Sequence, residues 1–427
     1  MTRRVKAAPH PLPPHERVTL KNGLGLVLVP DHRLPVMALS LMIRSGAALD
    51  GAGAEGLASL TASLLNQGSK RRNARELAEA VDDLGASYSA TAGWDSTSIT
   101  LQGLSTDAGA MLDLLSELAL EPAFPPQEFQ LMRRRRLHRL ARSMDSPAVV
   151  ADWTLMAHLF HGHPYGFPRA GTGRSLARLP HPSVEQFHLQ HYVPNDSLLA
   201  VAGDFEMEPT LGRIRQAFGS WSGKAPSPAA PPSPVAPESP QVILVHEGDL
   251  TQAQVRWGHG APHRAHSSHD AAGLMNDPLG GGGFSSRLMQ RIRSQKGLTY
   301  GISSGFDARA LAGCFRVSTF TPHASVVEVL SDMETIISQY RQSGPEAEEL
   351  DAARDRLTGG YPLQFETASQ VAGHLLEMEL YGLPEEDLRS YPLRLASVSR
   401  EEIARLARDL LHPRPDVIVA AGNADRI

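Results

Sequence analysis

NDPLGGGGFSSRLMQRIRSQKGLTYG, residues 276–301, is the stretch whose reading decides the fold. Four glycines, Gly280, Gly281, Gly282 and Gly283, run into Phe284, Ser285 and Ser286. Lacking a Cβ, such a run lets the backbone turn sharply and lie against another segment. Ser285 or Ser286 is placed to cap a helix predicted over residues 287–293, and Gly297 breaks it. Leu298, Thr299 and Tyr300 then begin an extended segment. Arg293 and Tyr300 stand seven residues apart across this turn. A guanidinium and a phenol brought together there are suited to holding a peptide carbonyl. The alternative is an ordinary Schellman-type helix end at Gly297, with Arg293 solvated and Tyr300 in the core.

Outward from this stretch, the chain divides at residues 225–240, APSPAAPPSPVAPESP, a proline-rich segment without glycine or aromatic residues. Such a segment is extended and builds no core. It separates 1–224 from 241–427, and the 427-residue length is itself too great for one core. Both halves open with strand-like runs followed by a loop and a helix, which suggests an internal duplication. In the first half, Asn22-Gly23 joins two strand runs in a hairpin, and residues 36–43 form a further strand. Helices are predicted at about 55–65, 74–84, 108–118, 125–143, 269–279, 326–340, 347–357 and 400–411. Strands and helices cluster without strict βαβ alternation. The fold class is therefore α+β: two homologous domains, each an antiparallel-rich sheet with helices on one face.

Composition narrows the function. Charged residues at 20% and apolar residues at 41% describe a folded globular protein. A formal charge of −5 argues against a general nucleic-acid binder. No apolar run approaches the ~18 residues that span a bilayer. The start, MTRRVKAAPHPLPPHERVTL, has no apolar h-region and does not read as a signal peptide. The single cysteine, Cys314, excludes an internal disulfide and a cysteine zinc cluster. His263, His266 and His269 beside Asp270, and the pair His161 and His163, are the densest histidine groups, each in a loop-like setting. No HExxH or GxxxxGK[ST] occurs. The run from Arg133 to Arg136 reads as a solvated helix face, or alternatively as the lining of a cavity that attracts acidic peptide.

These residues together resemble the M16 peptidase family, the pitrilysin and mitochondrial processing peptidase group, in its short form. The resemblance covers nearly the whole chain. It rests on Gly56-Leu57-Ala58 with the following LLNQGS, on HPYGFPRAGT at 163–172, on HYVPNDSLLAVAGDF at 191–205, and most specifically on LGGGGFSSRL with Arg293 and GLTYG. It implies the two-domain metallohydrolase fold shared with LuxS and the processing peptidases. Active members carry His-x-x-Glu-His after Gly-Leu-Ala. Here those places read Ser59-Leu60-Thr61-Ala62-Ser63. By the family's spacing, the third ligand, a Glu, falls on Arg139, and residues 133–144 contain no Asp or Glu. Two hydroxyls and a guanidinium cannot replace the three protein ligands that catalytic zinc needs. The family's Arg/Tyr pair, by contrast, is matched by Arg293 and Tyr300.

The resemblance therefore implies a chain without metal of its own, inactive alone. It would be the substrate-binding subunit of a heterodimeric zinc endopeptidase. Arg293 and Tyr300 would hold the peptide backbone, the loop from Gly280 to Phe284 would lie against substrate, and the zinc would sit in an M16 partner bearing His-x-x-Glu-His. Unfolded or extended peptides are the implied substrates, and a bacterial periplasm with the signal removed is the implied compartment, ahead of the cytoplasm. The alternative is a structural or peptide-binding M16-like subunit with no role in proteolysis.

Overall fold

A computed structural model describes residues 8–225, 234 and 236–427. The chain start and most of the proline-rich 225–240 segment lie outside the described residues. The first half builds a sheet from β1 (Glu16–Thr19), β2 (Gly25–Pro30), β3 (Val36–Ile43), β4 (Ser87–Ala92), β5 (Thr97–Leu104) and β6 (Ser197–Gly203). Its order is β1-β2-β6-β3-β5-β4. The second half uses β7 (Gln241–His246), β8 (Gln252–Ala261), β9 (Ile302–Ala308), β10 (Gly313–Pro322) and β11 (Val417–Gly422), in the order β7-β11-β8-β10-β9. In each sheet a strand from the end of its half inserts beside the first long strand. β6 runs parallel to β2, and β11 parallel to β7, while every other pairing is antiparallel. The shared order makes the two halves copies of one topology, and the fold is α+β in two domains.

Helices do not keep to one face of each sheet, as the sequence reading expected. Alternate residues of β2, β3 and β6 point to opposite sides. Leu26, Leu28, Leu39, Leu41, Leu199 and Val201 face the helices of their own half. Val27, Val29, Met42, Leu198, Ala200 and Ala202 instead meet Val371, Ala372, Leu375 and Leu376 of the helix Ala368–Tyr381, which comes from the second half. The exchange is mutual. The first-half helix Pro147–Leu159 lays Ala151, Leu155 and Leu159 on Cys314, Val417, Val419 and Ala421 of the second sheet. Coverage on both faces explains why β3 and β6 are apolar almost throughout instead of alternating.

Polar contacts cross at the same places. Arg256, 5% exposed, donates from Nε to Asp152 Oδ1 at 2.6 Å and from Nη2 to Ala148 O at 3.2 Å. Its Nη1 donates to Val255 O at 3.0 Å and Thr319 O at 3.3 Å. Arg309 stacks over Trp94, 4.2 Å from the ring centroid, and Ala310 N donates to Asp95 Oδ2 at 3.0 Å.

Candidate functional site

The helix Leu57–Leu64 carries Ser59, Ala62 and Ser63. Asp50 holds its first turn, accepting from Gly56 N at 2.7 Å and Ala58 N at 2.8 Å. Burial pushes the Asp50 carboxyl up to about 7 against the lowering effect of those two donors. Ser59 and Ser63, four residues apart, share the helix face toward the helix Pro126–Met144, while Ala62 is 1% exposed in the core. Ser63 Oγ donates to Ser59 O at 2.9 Å.

The residue that meets this face is Arg136, not Arg139. Arg136 Nη2 donates to Ser63 Oγ at 2.7 Å and to Ser59 O at 3.0 Å. Its other terminal nitrogen, Nη1, is buried without a hydrogen-bond partner. Burial first, and the nearby charge of Arg139 second, lower the Arg136 guanidinium to about 10, with Asp50 acting in the opposite sense. Arg139 is exposed on the rim of the same cavity. The four-arginine run is thus not a uniformly solvated face. Arg134 and Arg135 are exposed, whereas Arg133 lies over the Phe129 ring at 5.5 Å and donates to Leu179 O at 3.2 Å. The signal was present in the sequence: Phe129, Arg133, Arg136 and Leu140 repeat at helical spacing, so a core-facing stripe passes through Arg136.

A hydroxyl and a backbone carbonyl hydrogen-bonded to a guanidinium do not fit zinc. The donors that zinc requires are absent here, and the cation already present would repel it. Among the described residues no three His, Cys, Asp or Glu side chains gather as a metal group elsewhere. Two of the candidate histidines are held by local hydrogen bonds. His163 is buried, and its Nδ1 accepts from Tyr165 N at 3.1 Å, closing the turn Pro164–Gly166. His266 Nδ1 lies 2.7 Å from Ser268 Oγ, just before the helix His269–Asn276.

Arg293 and Tyr300 do come together. The helix between them is a π-helix, Met289–Gln295, ended by Gly297 at φ +65°. The wider turn carries Arg293 back toward the glycine loop. Its Cζ lies 4.6 Å from the Phe284 ring centroid and 5.1 Å from that of Tyr300. Tyr300 is 78% exposed and Phe284 65%, so the reading that buried Tyr300 in the core fails. Among the described residues the Arg293 guanidinium makes no hydrogen bond or ion pair, its cation–π contacts apart.

The glycine loop is more internal than its sequence suggested. Asp277–Gly281 is a π-helical turn. A Cβ on buried Gly280 would collide with Ser304 and Leu288, and one on Gly281 would lie 2.6 Å from Asn276 Nδ2. A Cβ on Gly282 would lie 2.6 Å from Arg356 Nη2, while Gly283 adopts φ +64°. Three of the four glycines thus allow close approach, and one supplies the left-handed turn. Neither serine caps the next helix: Ser285 Oγ donates to Gly282 O at 3.1 Å and Ser286 Oγ to Gly283 O at 2.8 Å. Gly301-Ile302-Ser303-Ser304-Gly305 has the spacing of a nucleophile elbow, but Ser303 lies inside β9 and not at a strand-to-helix turn.

Two family models match this chain, "Insulinase (Peptidase family M16)" over residues 26–173 and "Peptidase M16 inactive domain" over 178–357. The chain belongs to peptidase family M16. Among relatives of this M16 chain, an uncharacterized zinc protease of Mycobacterium bovis is 26% identical over 416 residues, covering 97% of this chain and 94% of the relative. A protein of Helicobacter pylori named non-peptidase homolog YmxG is 28% identical over 381 residues, covering 87% of this chain and 86% of its own. The crystal structure of a peptidase M16 inactive domain from Pseudomonas fluorescens superposes with a TM-score of 0.90 at 26% identity, over 96% of this chain and 98% of that one. A protease from Helicobacter pylori, at 20% identity, superposes with the same TM-score of 0.90 over 96% of this chain and all of its own, and shares the fold. No helix among the described residues is long and apolar enough to cross a membrane.

Proposed function

We propose that this chain is the non-catalytic, substrate-binding subunit of a heterodimeric M16 zinc endopeptidase. One contrast carries the reading. The zinc-motif face is closed by Arg136 on Ser63 and Ser59, while the side chains of Arg293 and Tyr300 remain at the surface with no hydrogen bond among the described residues. An M16 partner bearing His-x-x-Glu-His would supply the zinc. Arg293 and Tyr300 would donate to the backbone carbonyl of an extended peptide, and removing such a donor typically costs ~10²–10³ in rate. Exposed Phe284 and the outer glycines would flank the peptide, with Gly280 acting from behind by packing. The name of the Helicobacter pylori relative, a non-peptidase homolog, is in keeping with this reading.

A structural or peptide-binding subunit with no part in proteolysis is the second reading. The stacking of Arg293 on Phe284 and Tyr300 favours it, because that arrangement needs no substrate. The two are separated by mixing the purified chain with an M16 homologue that has an intact motif. The subunit reading expects peptide cleavage only in the mixture, with Arg293→Ala and Tyr300→Phe lowering turnover far more than assembly. Unchanged turnover in both variants would establish the structural reading. One tightly held zinc per isolated chain would overturn both.

A further inference from the structure

The face closed to zinc opens onto a cavity of about 460 Å³. Arg136, Arg139 and Arg169 line it together with Trp94 and Trp153, and no Asp or Glu is among its described lining residues. No carboxylate hydrogen-bonds to these guanidiniums among the described residues, and Asp50 acts on Arg136 only through its charge. Arg136 donates only to a hydroxyl and a carbonyl, and its Nη1 is a buried donor without an acceptor. The Arg139 guanidinium makes no hydrogen bond or ion pair among the described residues, and Arg169 reaches only Ala92 O, at 3.4 Å. A buried donor left unpaired is costly. Several guanidiniums around one opening match a carboxylate in charge and in fork geometry.

We propose that this cavity binds peptide carboxylates: the position that holds a metal in active M16 chains has become an anion site that anchors acidic peptide. The carboxylate meets the Arg136 guanidinium at the base and accepts from Arg139 and Arg169 at the rim. The indoles of Trp94 and Trp153 contact the adjoining chain. The site belongs to this chain alone and does not depend on any partner subunit.

The test is titration of the full-length chain, followed by tryptophan fluorescence and calorimetry, with three decapeptides. One carries four Glu and an amidated C-terminus, one has those Glu replaced by Gln, and one carries no acidic side chain but a free C-terminus. Binding of the first or third but not the second supports the site and names its source, side chain or terminus. The double variant Arg139→Gln with Arg169→Gln, both exposed positions, should weaken binding by about tenfold or more. Arg136→Gln should abolish it. The double variant keeps the test valid if Arg136→Gln fails to fold. Binding of the Gln peptide as tight as that of the Glu and free-terminus peptides, no binding of any, or unchanged binding by the double variant would overturn the proposal.

Discussion

Arg136 donates to Ser63 Oγ across 2.7 Å, so a guanidinium stands against the helix face where active M16 chains place imidazoles. This contact makes loss of the metal site a two-sided change. Restoring the motif by Ser59→His, Ala62→Glu and Ser63→His leaves a cation facing two new ligands. The triple variant should bind far less than one zinc per chain by elemental analysis. Adding Arg136→Glu supplies a third donor and removes the repulsion, and should raise zinc content well above that of the triple variant. Stoichiometric zinc in the triple variant would show that Arg136 moves aside freely.

Asp50 makes the stability of the first half depend on pH. In the unfolded chain its carboxyl titrates near 3.8, and burial raises it to about 7 in the fold. Between these values the folded state binds more protons than the unfolded one, so stability falls as pH rises from about 4 to 7. Asp50→Asn removes the titration; its single oxygen can serve only one of the Gly56 and Ala58 amides, which Asp50 meets with Oδ2 and Oδ1. Urea midpoints of the parent should drop from pH 5 to pH 7.5 by more than those of the Asn variant.

Arg256 links the halves through Asp152 and Ala148 O while remaining almost fully buried. Arg256→Ala leaves several carbonyls and a carboxylate without their donor and should cost about 3 kcal/mol. Arg316, 3.7 Å from the same Asp152 but largely exposed, is the control, and Arg316→Ala should cost under about 1 kcal/mol. Denaturant midpoints of the two variants provide the comparison.

Gly280 and Gly283 are neighbours in one run with different reasons for being glycine. Gly280→Ala drives a methyl into Ser304 and Leu288 and should cost about 2–3 kcal/mol with disturbance of the loop. Gly283→Ala meets open space and carries only the left-handed backbone penalty of about 1 kcal/mol. Thermal melts should rank the first well below the second.

Strand positions were legible in the sequence because apolar runs between turn residues fix them locally. β2, after the Asn22-Gly23 turn, and β3, at residues 36–43, both lie where the residues indicated. The exchanged helices Pro147–Leu159 and Ala368–Tyr381 were not singled out. Their apolar residues are matched to a sheet in the opposite half, and nothing local records which sheet that is. The π-helical path of Met289–Gln295 was likewise read as an ordinary helix, since its sequence contains no breaker before Gly297.

The sequence alone determined that Ser59, Ala62 and Ser63 cannot coordinate zinc as His, Glu and His do, because ligand chemistry is a property of residue type. It also set Arg293 and Tyr300 seven residues apart across one turn. Tertiary structure decided what meets the vacated face. Arg136 and Arg139 lie less than one helical turn apart, so a count along the chain cannot separate them. The packing of Phe129 and Leu140 against the core sets the rotation of the helix, and that rotation turns Arg136 inward and leaves Arg139 at the rim.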